Sequence, residues 1–273
     1  MTSTDVTTTS AELVLTGISK SYGTNLAVRD ITADAPAGKV SVIVGPSGCG
    51  KSTLLRIISG LDVPTTGAVT FDGRQVSGVP DGLAMVFQDY ARSLFPWMRV
   101  DRNIAFPLEH LPRAERAVRV QEAIDAVGLS GKEKLYPWQM SGGMQQRVAI
   151  ARALASHPKL LLMDEPYASV DAQTRAELED LLLTIQARLG ITVLVVTHDI
   201  DESVYLADHI IVLSKPPSIV AETIEVDLPR PRDHITTKTD PRFVEIRSHV
   251  TRLLRGEGVA ADGARDAVAS KAH

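Results

Sequence analysis

Apolar and polar positions along this chain follow two rhythms, and the rhythm switches several times. Leu13 to Ile18 alternates with the period of a half-buried strand. Val40 to Val44 is a short apolar strand that runs into GPSGCGKST, and a helical rhythm follows from near Ser52 to Gly60. Val69 to Phe71 reads as a strand ending in the tight-turn pair Asp72-Gly73, and Leu83 to Phe87 as another. From Arg92 to Leu154 no strand rhythm occurs. Val118 to Val127, closed by Gly128, and Ser141 to Leu154 are helical instead. Strand and helix then alternate again through Leu160 to Met163, a helix from Ala176 to Leu189 closed by Gly190, Thr192 to Val196, and Ile210 to Leu213. Such alternation predicts α/β layers over residues 11–215, with a helical insertion at about 90–155. Pro241 to Leu254 predicts one more helix, packed on the core within an extension over 216–255. Residues 256–273, rich in Gly and Ala, are expected to be a flexible tail.

Composition narrows the class. The 273 residues suit one large domain or two small ones, and 44% hydrophobic with 23% charged residues excludes wholesale disorder. The longest apolar run, Leu83 to Phe87, is far short of the ~20 residues that span a bilayer. Residues 1–10, MTSTDVTTTS, have neither a basic start nor an apolar stretch, so they read as a disordered N-terminus rather than a secretory signal. One cysteine, Cys49, excludes a disulfide framework and a cysteine-based zinc site. With 29 Lys and Arg against 33 Asp and Glu, the net charge of −4 offers no electrostatic reason to expect nucleic acid. A soluble cytoplasmic α/β protein is the expectation.

Gly45-Pro46-Ser47-Gly48-Cys49-Gly50-Lys51-Ser52, followed by Thr53, matches the G-x-x-x-x-G-K-[ST] phosphate loop. Its glycines let successive N–H groups turn inward as an anion nest, and the following helix adds its positive end. Lys51 is placed to bridge β- and γ-phosphate oxygens, and the Ser52 hydroxyl to hold Mg²⁺. Inside the loop, Cys49 has two readings: an exposed thiol activated by the helix terminus and Lys51, or an inert small spacer. Downstream, Leu160-Leu161-Leu162-Met163-Asp164-Glu165 is an apolar strand ending in two carboxylates, which a period of two sends to opposite faces. Asp164 would face Mg²⁺ and Glu165 an attacking water. Between these motifs Ser141-Gly142-Gly143 opens a helix, a second anion-binding helix start.

In order and spacing, the phosphate loop, the SGG helix start and the LLLMDEP strand resemble the ATP-binding cassette (ABC) ATPases. The resemblance covers about residues 12 to 215. It implies a P-loop NTPase (RecA-like) core with an antiparallel β subdomain and the helical insertion. It further implies that Tyr22 in SKSYG stacks on adenine and that Gln88 after AMVF senses Mg²⁺ and the attacking water. Asp171 in Ser169-Val170-Asp171 lies in the loop after the acidic strand, and His198 in VVTHD is the switch histidine that contacts the γ-phosphate. ATP and Mg²⁺ are the implied ligands, with contacts from Tyr22, the loop residues Gly45 to Thr53, Ser141, Gly142, Gly143 and Asp171. Ser52, Gln88 and Asp164 lie on the metal, and Lys51, Gln88, Glu165 and His198 serve the hydrolysis. Two departures are visible: Met144 where the usual signature has glutamine, and Val170 in the loop after the strand.

Family members pair head to tail, so Ser141 and Gly143 are expected to reach the ATP on a partner's Lys51. Wording around Gln88-Asp89-Tyr90, Ser93 to Trp97, SGGMQQRVAIARAL, Asp171 to Arg175 and Asp227 to Asp233 is similar to the nitrate, sulfonate, taurine and thiamine-precursor importers. This implies the ATPase subunit of an importer for a small anionic or sulfur- or nitrogen-containing solute, held at the cytoplasmic face of the membrane by a permease. Leu94, Phe95 and Trp97 are expected to anchor that permease, with an external solute-binding protein as indirect partner. An exporter or lipid-transport ATPase is the alternative. A non-transport member acting on nucleic acid or ribosomes would bring a second cassette, a coiled-coil insertion or a basic surface, and none is visible.

Overall fold

Strands with unbroken apolar runs can be covered on both faces, whereas alternating ones face a single layer. That difference sorts the strands into two sheets. The computed structural model describes residues 12–256, so the expectations for 1–10 and 257–273 lie outside the described residues. In chain order the elements are β1 (Leu13–Tyr22), β2 (Asn25–Ala35), β3 (Val40–Val44), α1 (Lys51–Ile58), β4 (Thr66–Phe71), β5 (Arg74–Gln75) and β6 (Leu83–Val86). Next come α2 (Tyr90–Ser93), α3 (Val100–Ala105), α4 (Arg113–Ala126), α5 (Gly142–Leu154), β7 (Leu160–Asp164) and α6 (Ala172–Leu189). The chain continues with β8 (Thr192–Thr197), α7 (Ile200–Leu206), β9 (His209–Leu213), β10 (Val220–Glu225), α8 (Thr236–Thr239) and α9 (Pro241–Arg255).

The central sheet has the order β10-β9-β3-β8-β7-β6, parallel except for β10. Every residue of β3, β8 and β9 is buried. The second sheet, β2-β1-β4-β5, is antiparallel, and the two-residue turn Asp72-Gly73 joins its last pair with both residues at positive φ. Its apolar face, with Leu13, Leu15, Ile31 and Val69, packs with Leu54, Leu55 and Ile58 of α1 in one cluster. The expected α/β core, antiparallel subdomain and helical insertion are all present.

Several elements escape the sequence pattern, among them two strands and two helices for identifiable reasons. In β2 the buried positions Val28 and Ile31 lie three apart, because the pairing with β1 slips there and Asp30 takes φ 50°. Such a bulge breaks the period-two signal. β10 is an edge strand with no buried residue, and α3 and α7 are too short to display a period.

Between β6 and β7 the chain forms α2 to α5. A buried asparagine organises its entry. Asn103 of α3 accepts the Phe95 N–H at 2.8 Å through Oδ1 and donates to the carbonyls of Phe95 and Met98 at 3.1 and 3.0 Å. This fastens the 95–98 loop, and it corrects one expectation: Leu94 is buried in the core rather than presented to a partner. Trp97 projects with 70% of its surface exposed, and half-buried Phe95 stands between it and Phe106, at centroid distances of 5.6 and 4.6 Å. Asn103→Ala removes four bonds, the fourth from Nδ2 to Arg99 O at 3.3 Å, and strands buried amide and carbonyl groups. It should lower unfolding free energy by about 1–3 kcal/mol in urea titrations, with little change in m.

Candidate active site

Parallel register brings the chemistry together. Val44 pairs with Thr197, Asp164 with Val196, and Val86 with Met163, so β3, β8, β7 and β6 end side by side. The residues just beyond those ends (the phosphate loop, His198, Glu165 and Gln88) therefore meet at one edge of the sheet, where ligands bind in open α/β folds.

The loop after β3 curls through two glycines, Gly48 and Gly50, at positive φ, and Gly45 and Gly50 have no room for a side chain. Gly50, the residue before α1, has φ 96°, and a Cβ there would lie 2.7 Å from Val28 Cγ1. Lys51 is buried, and its Nζ donates to the carbonyls of Gly45 and Pro46 at 2.8 and 3.1 Å. These two bonds hold the ammonium within the curl of its own loop. The Cys49 N–H donates to Pro46 O at 3.2 Å. Ser47 and Gly48 are exposed, and Ser52 and Thr53 follow Lys51 in the first turn of α1. The Cys49 side chain lies fully buried and faces the core, which overturns the reading of an activated thiol. Burial raises its pKa above the ordinary thiol value, and the nearby Lys51 charge offsets this only in part.

At the end of β7, Asp164 and the following Glu165 meet different partners. Asp164 is half-buried and receives the Ser52 hydroxyl; burial raises its pKa, with the Glu165 charge adding to the rise. Its Oδ1 is buried and has no hydrogen-bond partner. An orphaned carboxylate oxygen beside a hydroxyl fits Mg²⁺, a hard cation that takes one or two protein oxygens and completes its shell from phosphates and water. Among the described residues no cluster of three His, Cys, Asp or Glu offers an all-protein metal cage.

Glu165 stands at φ 42°, a left-handed conformation costly for a residue with a Cβ, held by its N–H to Val196 O at 2.8 Å. One carboxylate oxygen accepts Gln88 Nε2 at 3.1 Å, and the other lies 3.3 Å from His198 Nδ1. Three residues far apart in sequence thus form one constellation. Behind it lies a cavity of about 60 Å³ whose walls include Glu165, Arg175, His198, Asp199 and Glu202. Sequence reasoning did not single out Asp199 or Glu202; the only available signal was their adjacency to His198.

Tyr22, at the end of β1, is half-exposed, with its hydroxyl donating to Asp62 at 2.8 Å and Lys20 Nζ 5.0 Å above its ring. Those same two groups hold Asp62 at about 2. Ser141 caps α5 by accepting the Met144 N–H at 3.3 Å, and Gly142 and Gly143 form its first turn. Asp171 caps α6 through Thr174 N–H and hydroxyl at 3.0 and 2.7 Å. Among the described residues no hydrogen bond joins Ser141, Gly142, Gly143 or Asp171 to the phosphate loop of the same chain. Because Cys49 is buried with a raised pKa, a maleimide should leave the native protein unlabelled at pH 7–8 and label it fully in denaturant. Mass spectrometry reads both states.

The ABC transporter family model matches residues 28–168. An uncharacterized ABC transporter ATP-binding protein of Methanocaldococcus jannaschii is 46% identical, the match covering 85% of each chain. The aliphatic sulfonates import ATP-binding protein SsuB of Bacillus licheniformis is 45% identical over 82% of this chain and 86% of its own. The bicarbonate transport ATP-binding protein CmpC of Synechococcus elongatus is 44% identical over 84% of this chain, but the match spans only 35% of that longer protein. Among solved structures, a dimeric ATP-binding cassette in a post-hydrolysis state with ADP and Pi superposes with a TM-score of 0.69 at 33% identity, covering 78% of this chain and 98% of that one. With the strand order, the loop chemistry and these relatives in agreement, the chain belongs to the ABC transporter family and is an ATP-binding cassette ATPase.

Proposed function

We propose that this chain is the MgATP-hydrolysing subunit of an importer, working as a head-to-tail pair bound to a membrane permease. The observation that carries the reading is the carboxylate of Glu165, held between Gln88 and His198 beside the phosphate loop. In this reading Tyr22 stacks on adenine with the ring face that Lys20 leaves open. Lys51 exchanges its two carbonyl partners for phosphate oxygens, which are stronger acceptors for an ammonium. The exposed amides of Ser47 and Gly48 and the positive end of α1 receive the phosphates. Glu165 takes the proton of the attacking water, Gln88 orients that water, and His198 supports charge on the γ-phosphoryl group. Mg²⁺, held by Ser52 and Gln88 with Asp164 acting mainly through water, would neutralise phosphate charge.

The dimeric cassette found among the solved structures supports a role for Ser141–Gly143 toward a second copy. Closing that pair around ATP supplies free energy to the permease only to the extent that ATP binds the closed pair more tightly. Trp97 and Phe95, held out by Asn103, offer an aromatic anchor for a cytoplasmic loop of the permease. No helix of the described residues is long and apolar enough to cross a membrane, so attachment through a permease fits. The names of SsuB and CmpC favour a small anionic solute, such as a sulfonate or an inorganic anion, delivered by an external solute-binding protein.

Glu165→Gln should retain ATP, accumulate as a dimer on size exclusion, and lose turnover by at least about 100-fold; free hydrolysis would remove Glu165 from its role. Trp97→Ala should leave ATPase activity of the isolated chain within about twofold. The same variant should lose recovery of a multi-span permease from detergent-solubilised membranes, and unchanged recovery would move the anchor elsewhere.

A further inference from the structure

The cavity behind Glu165 and His198 has a wall that the hydrolysis reading does not use. Arg175 leaves the first turn of α6 and places Nη1 3.0 Å from Asp199 Oδ2, its one ion pair among the described residues. Asp199 is pinned on both sides. Its other oxygen accepts the Glu202 N–H at 3.1 Å as the cap of α7, and its own N–H donates to Thr197 Oγ1 at 3.0 Å. His198 is the residue between Thr197 and Asp199, so whatever moves Asp199 moves the backbone of His198.

Toward its other end, the same turn of α6 is fastened to the signature segment. Thr174, adjacent to Arg175, is bonded twice to Asp171, and Gly143 backs directly onto it: a Cβ on Gly143 would lie 2.4 Å from Thr174 Cγ2. The contact has no slack, because nothing larger than hydrogen fits between them. Arg147 of α5 also reaches Glu177 of α6 at 3.7 Å. A continuous chain of contacts therefore runs from Gly143 through Thr174 and Arg175 to Asp199 and His198, within one subunit.

We propose that Arg175 is a positioning residue that reports engagement of the signature segment to the switch histidine of the same subunit. This rests on reading Ser141–Gly143 as reaching a partner's nucleotide and His198 as contacting the γ-phosphate. Each subunit thereby senses the ATP of its partner's site and sets its own histidine accordingly, which couples the two sites. Stability alone does not account for the ion pair, since Arg175 and Asp199 are each one-third exposed and pairs of that kind add little. The other acids near Arg175 are Glu165 across the shared cavity (its carboxylate lies with Gln88 and His198), Glu179 one turn along α6, and Glu202 from α7. Burial pushes Glu179 up to about 7 and Glu202 well above the ordinary carboxylate range, which leaves Asp199 as the acid that pairs with the guanidinium.

The test is steady-state ATPase of the full chain with MgATP for Arg175→Met, Arg175→Lys, Asp199→Asn and the Arg175→Met/Asp199→Asn double variant. Asp199→Asn keeps the side-chain oxygen that caps α7 while removing the charge. Arg175→Met and Asp199→Asn should each lower kcat about tenfold, with KM for ATP within about twofold and the Hill coefficient falling to about 1. The double variant should be no slower than the slower single one, and Arg175→Lys should recover most of the rate. Wild-type turnover in Arg175→Met, an unchanged Hill coefficient, or additive losses in the double variant would overturn the proposal. So would a shared drop in melting temperature with proportional loss of ATP binding. His198→Ala separates the two readings. If it is inactive while Arg175→Met is normal, only the coupling fails; if it hydrolyses normally, the assignment of His198 fails and the coupling loses its target.

Discussion

The parallel register of β3, β7 and β8 is the constraint on which the site depends. Hydrogen bonding between these strands puts Ile43, Val196 and Asp164 at one level, and β6 follows with Val86 against Met163. A slip of one residue in the pairing of β7 would turn Asp164 to the other face of the sheet, because strand side chains alternate. The register is secured in turn by burial. Every residue of β3 and β8 is buried, so no face can be exchanged for solvent without exposing Val, Ile or Leu. Packing of the core and placement of the chemistry are thus one and the same requirement.

On this rigid base the site keeps two kinds of tension. Glu165 holds a left-handed backbone, which costs of order 1–3 kcal/mol and is maintained by a bond from its N–H to the neighbouring strand end. Lys51 and Asp164 are charged groups removed from water beside the same loop. Lys51 is satisfied by two carbonyls, while Asp164 keeps one oxygen without a partner. The Asp164 oxygen is costly to leave without a partner, whereas the Lys51 ammonium already has two acceptors. Such local imbalance, surrounded by a fully packed sheet, is what a site built to bind and release a charged ligand requires.

Around the site, helices turn strand ends into surfaces. The insertion between β6 and β7 presents Trp97 on a loop that Asn103 braces from beneath, while α5 and α6 meet where Gly143 touches Thr174. Near the C-terminus of the described residues, α9 lies against α7 and β9, burying Phe243, Val250 and Leu253. His234, in the turn before α8, stacks on Tyr205 of α7 at 4.0 Å. The helix that follows His198 is consequently packed by the chain's own C-terminal extension as well as by α6.

Much of this was legible in the residues. The apolar runs ending in GPSGCGKST and in Asp164-Glu165, the Ser141 cap, and the Asp72-Gly73 turn all carry local signals, because each depends on bonds within a few residues. The strands β3, β7, β8 and β9, the helix α9 and the order of the motifs follow from such signals. Other features had no local trace. β2 hides its period behind a bulge whose cause lies in β1, and the exposed edge strand β10 needs only a neighbour. Cys49 sits in a loop whose composition argues for reactivity, yet its side chain turns into the core, and Leu94 turns inward from a loop that reads as surface. The union of Gln88, Glu165 and His198, and the bond from Arg175 to Asp199, join residues 24 to 77 positions apart. Sequence determined which chemical groups this protein carries and in what order, since propensity and period are properties of short segments; only tertiary structure decided which of those groups face one another, because burial and register are settled between segments that the chain itself keeps far apart.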